Sequence, residues 1–285
     1  MKKKWGALAL AGVLGAAVVT GCSTGGKGEA AENQTSAAGE EGTAESQGKE
    51  DLVFVNYRDI RDLNPHLYAG EMYAQEMLYE TLVNITENGY EGCLAESWDI
   101  SEDGLTYTFH MNKDAKWSDG TKVTANDFEF TFQKMATPSV AATNAWLFDG
   151  IIENFSEALY DQGKKPEEIG VHAIDEDTLE IKIIHPASYF LELVSSSAYP
   201  VNKAMYEKLG SDYATSETKT VFNGPFKIES WSQNTEMVLV RNDQYWGADD
   251  VKLDKINSKI IQESGTAVQS YINGELDVIG TTDAN

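Results

Sequence analysis

The sequence of 285 residues predicts an α/β fold, and two observations carry that prediction. Segments that alternate apolar and polar residues take turns with segments of helical spacing, and short polar turns separate them. The last of these segments form a strand–helix–strand unit ending in an apolar strand, which predicts a mainly parallel sheet at that end. No internal repeat is evident.

Order is expected from Asp51 onward. Residues 51–57, with Leu52-Val53-Phe54-Val55 at their centre, form the first strand. Residues 70–82 have the spacing of a helix through Met72, Ala74, Met77 and Leu78. Residues 105–111 alternate with period two and predict a half-buried strand, with Asp103-Gly104 and Asp119-Gly120 as turn dipeptides. Thr124 followed by Asp127 approximates a capping box. The helix it starts runs through Phe128, Phe130, Phe132 and Met135 and stops before Pro138. Residues 179–183 alternate again, and 188–195 and 202–209 are short helices. Asn223-Gly224-Pro225 turns into a strand whose antiparallel partner is 237–241, and 242–246 close the pair. A strand at 259–262, a helix at 266–273 and a strand at 276–279 complete the fold.

The amino terminus has a different character. Lys2, Lys3 and Lys4 precede the apolar residues 5–19, then Thr20-Gly21-Cys22. A basic region, a short apolar stretch and small residues at a cleavage point make a secretory signal over residues 1–22. The apolar stretch falls short of the ~20 residues a membrane-spanning helix needs. Val19-Thr20-Gly21-Cys22 resembles a bacterial lipobox, which implies that Cys22 becomes the lipidated first residue. The alternative is an ordinary signal with an incidental cysteine. Residues 23–50 hold no aromatic residue and almost no large aliphatic one, so they predict a flexible acidic tether.

Composition narrows the function. A formal charge of −24 leaves no electrostatic footprint for phosphate backbones, which excludes nucleic acid as a partner. Only Cys22 and Cys93 are present, so no disulfide framework is expected, and Cys93 reads as a packed core residue. His66, His110, His172 and His185 lack zinc-ligand spacing, and no glycine-rich phosphate loop or nucleophile elbow occurs. Ser216-Glu217-Thr218-Lys219 matches S-x-x-K, but neither S-D-N nor K-T-G follows it. No metal, cofactor or catalytic residue is expected. A carboxylate pair among 46 acidic residues keeps a hydrolase as the alternative from another class.

Residues 92–128 carry the most specific pattern. Gly92-Cys93-Leu94-Ala95-Glu96-Ser97-Trp98 is followed by Asp103-Gly104-Leu105-Thr106-Tyr107-Thr108-Phe109-His110-Met111. Then comes Lys116-Trp117-Ser118-Asp119-Gly120-Thr121-Lys122-Val123-Thr124-Ala125-Asn126-Asp127-Phe128. This run resembles the signature of bacterial extracellular solute-binding proteins of family 5, the oligopeptide- and dipeptide-binding proteins of ABC importers. Leu63-Asn64-Pro65-His66 before it resembles a family stretch too, as do Asn223-Gly224-Pro225-Phe226-Lys227, Trp231 and Arg241-Asn242 with Tyr245-Trp246 after it.

The resemblance implies a type II periplasmic-binding-protein fold over residues 51–285. Residues 51–82 and 200–285 would form the first lobe and 83–199 an inserted subdomain, with the second lobe missing from this chain. It implies an exported receptor, lipid-anchored to the outer face of the cell membrane and touching that membrane only through the lipid. Such a receptor is monomeric, closes over an extended oligopeptide and delivers it to permease subunits. Trp98, Tyr107, Phe109, Trp117 and Phe128 are then core. The ligand cleft is lined by the segments after His66 and after Pro138, here Tyr68, Gly70 and Glu71, then Asn144 and Trp146. Ala69 stands where better-known oligopeptide receptors have an acid, and Asn144 where they have an aromatic residue. Nickel chelates, haem, oligosaccharides and signalling pheromones remain alternative ligands of this fold.

Overall fold

The computed structural model describes residues 51–56, 62–67 and 72–280. β1 (Asp51–Asn56) has its second half buried, and its alternation explains how. Successive side chains point to opposite faces of a strand. Phe54 enters the main core, while Val55 packs on the other face with Ala267 and Leu276. Both faces of β1 are therefore covered.

Helix α1 (Met72–Leu78) follows, then a hairpin of β2 (Val83–Thr86) and β3 (Gly89–Gly92). β4 (Ala95–Ile100) and β5 (Thr106–Met111) come next, then α2 (Ala125–Met135) and the short α3 (Phe155–Leu159). β6 (Val171–Asp175) and β7 (Thr178–Lys182) precede α4 (Phe190–Ser197) and α5 (Lys203–Leu209). β8 (Phe226–Ser232), β9 (Glu236–Arg241), β10 (Lys255–Ile260) and α6 (Ser264–Ile272) end the order.

The strands form two four-stranded sheets beside the β2–β3 hairpin. One is antiparallel throughout, ordered β4-β5-β7-β6. The other, ordered β1-β10-β9-β8, is mixed. β1 and β10 run parallel, and β9 and β8 continue antiparallel. The parallel sheet expected at the carboxyl end is thus confined to β10, β1 and a single parallel bridge from Phe54 to Val278. The strand expected at 276–279 is reduced to that bridge, and the one expected at 259–262 begins four residues earlier, as β10. In both places β1 decides: it inserts between the two members of the strand–helix–strand unit and sets their register.

Helix α2 forms as its sequence dictates. The Thr124 amide donates to Asp127 Oδ2 at 3.0 Å, half of the reciprocal cap. Phe128, Thr131, Phe132 and Met135 are buried where α2 crosses β6 and β7. Helix α5 is capped by Asn202, whose side chain accepts from the Met205 amide at 2.8 Å. Phe109, Trp117 and Phe128 are fully enclosed, Tyr107 is buried, and Trp98 is half-buried against the same core. That core is continuous from Phe54 through the antiparallel sheet to Ile256.

Helix α1 is shorter than its spacing predicts. The Gly224 amide donates to Leu78 O at 2.9 Å, and Asn223 Oδ1 accepts from the Glu80 amide at 2.9 Å. The turn before β8 thus takes over the carbonyl and amide that another helical turn would have used. A Cβ at Gly224 would lie 2.7 Å from the Leu78 carbonyl carbon and 2.8 Å from the Tyr79 nitrogen. Both are backbone atoms and cannot swing aside. Gly224→Ala is expected to destabilise the fold by about 1–3 kcal/mol. An unchanged melting temperature would show that the turn shifts freely and does not end α1.

Candidate functional site

Two segments far apart in sequence meet at His66. Residues 62–66 are held locally by a series of short bonds. The Asn64 amide donates to Asp62 Oδ1 at 2.7 Å, and the His66 amide donates to Asn64 Oδ1 at 3.0 Å. Leu63 is buried, its carbonyl accepting from the Tyr79 hydroxyl at 3.1 Å. Gln75 on α1 donates to Pro65 O at 3.0 Å. This loop is consequently rigid on the side that faces α1.

On the other side the His66 carbonyl accepts from the Thr143 amide at 2.8 Å and the Thr143 hydroxyl at 3.1 Å. Asn144 follows, half-buried, with Oδ1 3.2 Å from His66 Nδ1 and Nδ2 donating to Ser197 O at 3.1 Å. The imidazole spans to the stretch after α4, with Nε2 2.7 Å from Tyr199 O. His66 itself is 3% exposed. Burial holds its pKa below the ordinary 6.5, and the Tyr199 and Asn144 bonds oppose the shift.

Beyond Asn144 the chain makes a 3-10 turn over Ala145–Leu147. Ala145 is buried, and Trp146 is 69% exposed. Leu67, next to His66, is also exposed. An indole so open makes a contact surface that can stack on or cover a flexible chain while its N–H stays available.

Of the expected cleft residues, the described ones are Asn144 and Trp146, and they lie on one turn beside His66. Asn144 spends its amide on protein partners, so it acts as a brace; Trp146 is turned outward. Tyr68, Gly70 and Glu71 lie outside the described residues, as does Cys22. Sequence reasoning missed His66 as the junction, although its place in Leu63-Asn64-Pro65-His66 was a signal.

A second polar cluster also went unread. Glu80 is half-buried, with its carboxylate turned inward. It accepts from the Tyr245 hydroxyl at 2.5 Å, Trp246 Nε1 at 2.7 Å and Cys93 Sγ at 3.0 Å. Burial raises the Glu80 pKa against the pull of these donors. Cys93 is buried, and burial together with the Glu80 carboxylate pushes its thiol well above the ordinary value. A thiol so protonated is no nucleophile. The cluster ties the end of α1 to the link between β3 and β4 and to the turn after β9.

Residues 89–285 match the family model described as bacterial extracellular solute-binding proteins, family 5 middle. The chain belongs to that family. Among its relatives, the dipeptide-binding protein DppE of Bacillus subtilis is 34% identical over 97% of this chain and 50% of its own length. The periplasmic oligopeptide-binding protein OppA of Escherichia coli is 37% identical over 81% of this chain and 43% of its own. The chain spans about half the length of the relatives it matches.

Solved structures agree. The substrate-binding domain of an oligopeptide ABC transporter from Bacillus anthracis superposes with a TM-score of 0.75 at 34% identity, covering 81% of this chain and 45% of that one. Listeria monocytogenes OppA bound to peptide gives 0.75 at 32%, covering 81% and 46%. The α/β fold is that of one lobe of a type II periplasmic-binding protein.

Proposed function

We propose that the chain is one lobe of a lipid-anchored receptor that holds extended oligopeptides and delivers them to an ABC permease. The observation that carries this reading is the convergence at His66. The two segments assigned to the cleft share a rigid junction there and leave Trp146 open beside it. Relatives named for dipeptides and oligopeptides support the substrate class. Tyr68, Gly70, Glu71 and Trp146 would line the cleft, with Asn144 bracing the turn. Residues 51–82 and 200–285 form the lobe, which places the mixed sheet in it; residues 83–199 form the subdomain built on the antiparallel sheet. The receptor acts as a monomer and binds its ligand without turnover.

Native mass spectrometry of the protein released gently from its own cells tests this. A ladder of masses above the covalent mass, spaced as peptides, is the expected result. A single unliganded mass together with hydrolysis of added peptides would overturn it in favour of the hydrolase.

Residues 1–22 serve as an export signal with Cys22 as the lipid attachment site, residues 23–50 as the tether. Cys22→Ala is expected to shift the protein from the membrane fraction to the medium or periplasmic fluid. Retention of the variant in the membrane would rule out the lipid anchor.

A further inference from the structure

The His66 ring is faced by oxygen on both sides. Tyr199 O is a carbonyl and only accepts, so Nε2, 2.7 Å away, carries a proton. Asn144 Nδ2 donates to Ser197 O at 3.1 Å, and this bond aims Asn144 Oδ1 at His66 Nδ1. In a neutral ring Nδ1 is a lone pair, so two acceptors then oppose each other at 3.2 Å. Turning the amide over repairs that contact and sets Oδ1 against Ser197 O instead. Each orientation of Asn144 keeps one bond and breaks the other. Only the imidazolium satisfies both.

Burial favours the neutral ring. No charged side chain among the described residues contributes to that balance. Around the junction, Glu76 on α1 acts on the Tyr199 hydroxyl rather than on the imidazole, and burial raises that phenol too. The proton on Nδ1 is therefore set by the two carbonyl-type contacts working against desolvation.

We propose that His66 is the positioning residue of the cleft. Its proton fixes the Asn144 amide and so the turn that presents Trp146. The proposal rests on the reading of this face as the peptide cleft. With the ring neutral, Asn144 divides between two orientations; as pH falls through the pKa of the ring it settles into one. If a single orientation is the binding-competent one, raising its population from about one half to one tightens peptide binding about twofold.

The test uses the whole receptor of which this chain is proposed to form one lobe, with nitrogen-15 label. The His66 ring nitrogens and the Asn144 side-chain amide are followed by NMR from pH 8 to pH 5, and retention of an equimolar tri- to pentapeptide mixture is measured across the same range. Expected are a neutral ring protonated on Nε2, one shared midpoint for the ring and the Asn144 amide, and peptide retention that rises through that midpoint. His66→Gln should remove the step from both the amide and the peptide curve. Asn144→Asp keeps the test open if that variant fails to fold: a carboxylate beside Nδ1 should raise the ring's midpoint by stabilising the imidazolium. An Asn144 amide indifferent to the ring, an unmoved midpoint in Asn144→Asp, or retention flat with pH would overturn the proposal. A shared midpoint with no peptide retained at any pH would overturn the receptor reading and leave the His66–Asn144 coupling standing.

Discussion

Replacing Glu80 by alanine is expected to lower the stability of the fold by about 3 kcal/mol, because three donors lose one acceptor together. For a chain of this size that is a fall in melting temperature on the order of 10 °C. Tyr245 and Trp246 reach Glu80 from the turn after β9, and Cys93 reaches it from the link between β3 and β4, so no single local shift can supply a replacement acceptor. Glu80→Gln isolates the charge. The folded pKa of Glu80 lies above its ordinary 4.5, so the folded state holds that proton more tightly than the unfolded chain. Its contribution is then fully present below pH 4.5 and is lost as pH rises through the folded value. Urea midpoints of the native protein minus those of Glu80→Gln should therefore decline from pH 4 toward pH 8. A flat difference would mean that burial does not penalise the carboxylate.

Trp117→Ala is the second large effect, expected at about 3–5 kcal/mol. Trp117 is the largest fully enclosed side chain of the core. It sits in a tight hairpin closed by its own amide to Thr121 O at 2.7 Å. Ser118 beside it exchanges bonds with Phe222, its amide donating to Phe222 O at 2.7 Å and its hydroxyl accepting from the Phe222 amide at 3.1 Å. The indole N–H reaches Asp127 Oδ2 only at 3.4 Å, a long bond that contributes little. Packing should therefore dominate, and Trp117→Phe should lose less than half of what Trp117→Ala loses. Equal losses in a denaturant titration would move the weight to the Asp127 contact.

What could be read in the sequence was decided by where each element takes its partners. β5, β7 and β9 have paired neighbours on both sides, and their alternation is strong enough to read. β4 and β6 are the edges of the antiparallel sheet, and their outer residues are polar or exposed, so the pattern fades. The β2–β3 hairpin turns at Asn88-Gly89, with Gly89 at φ +108°, a turn dipeptide that marks the hairpin although its two strands are short. Helix α2 carries its own cap and stop and was read nearly to the residue. The end of α1 is imposed by Asn223 and Gly224, and no local signal marks it.

The candidate site was legible to a smaller extent. The segments containing Asn144 and Trp146 were reached through family resemblance, since nothing in their own composition distinguishes a cleft from a surface loop. His66 was beyond periodicity altogether. Its ring is held by a carbonyl 133 positions away and an amide 78 positions away, and only the fold brings those together.

The pairing of β1 with β10 has a consequence for the order of assembly. Asn56 and Ser258 are 202 positions apart and bonded side chain to side chain at 2.5 Å. β1 therefore leaves the ribosome with no partner until nearly all the chain described here has been made. Closing so wide a loop is slow. Through that interval the antiparallel sheet can form from its own neighbours, while β1 remains an extended, unpaired ribbon. The nascent chain is thus kept open at the end that carries the export signal proposed for it, which is the form a translocation channel can thread.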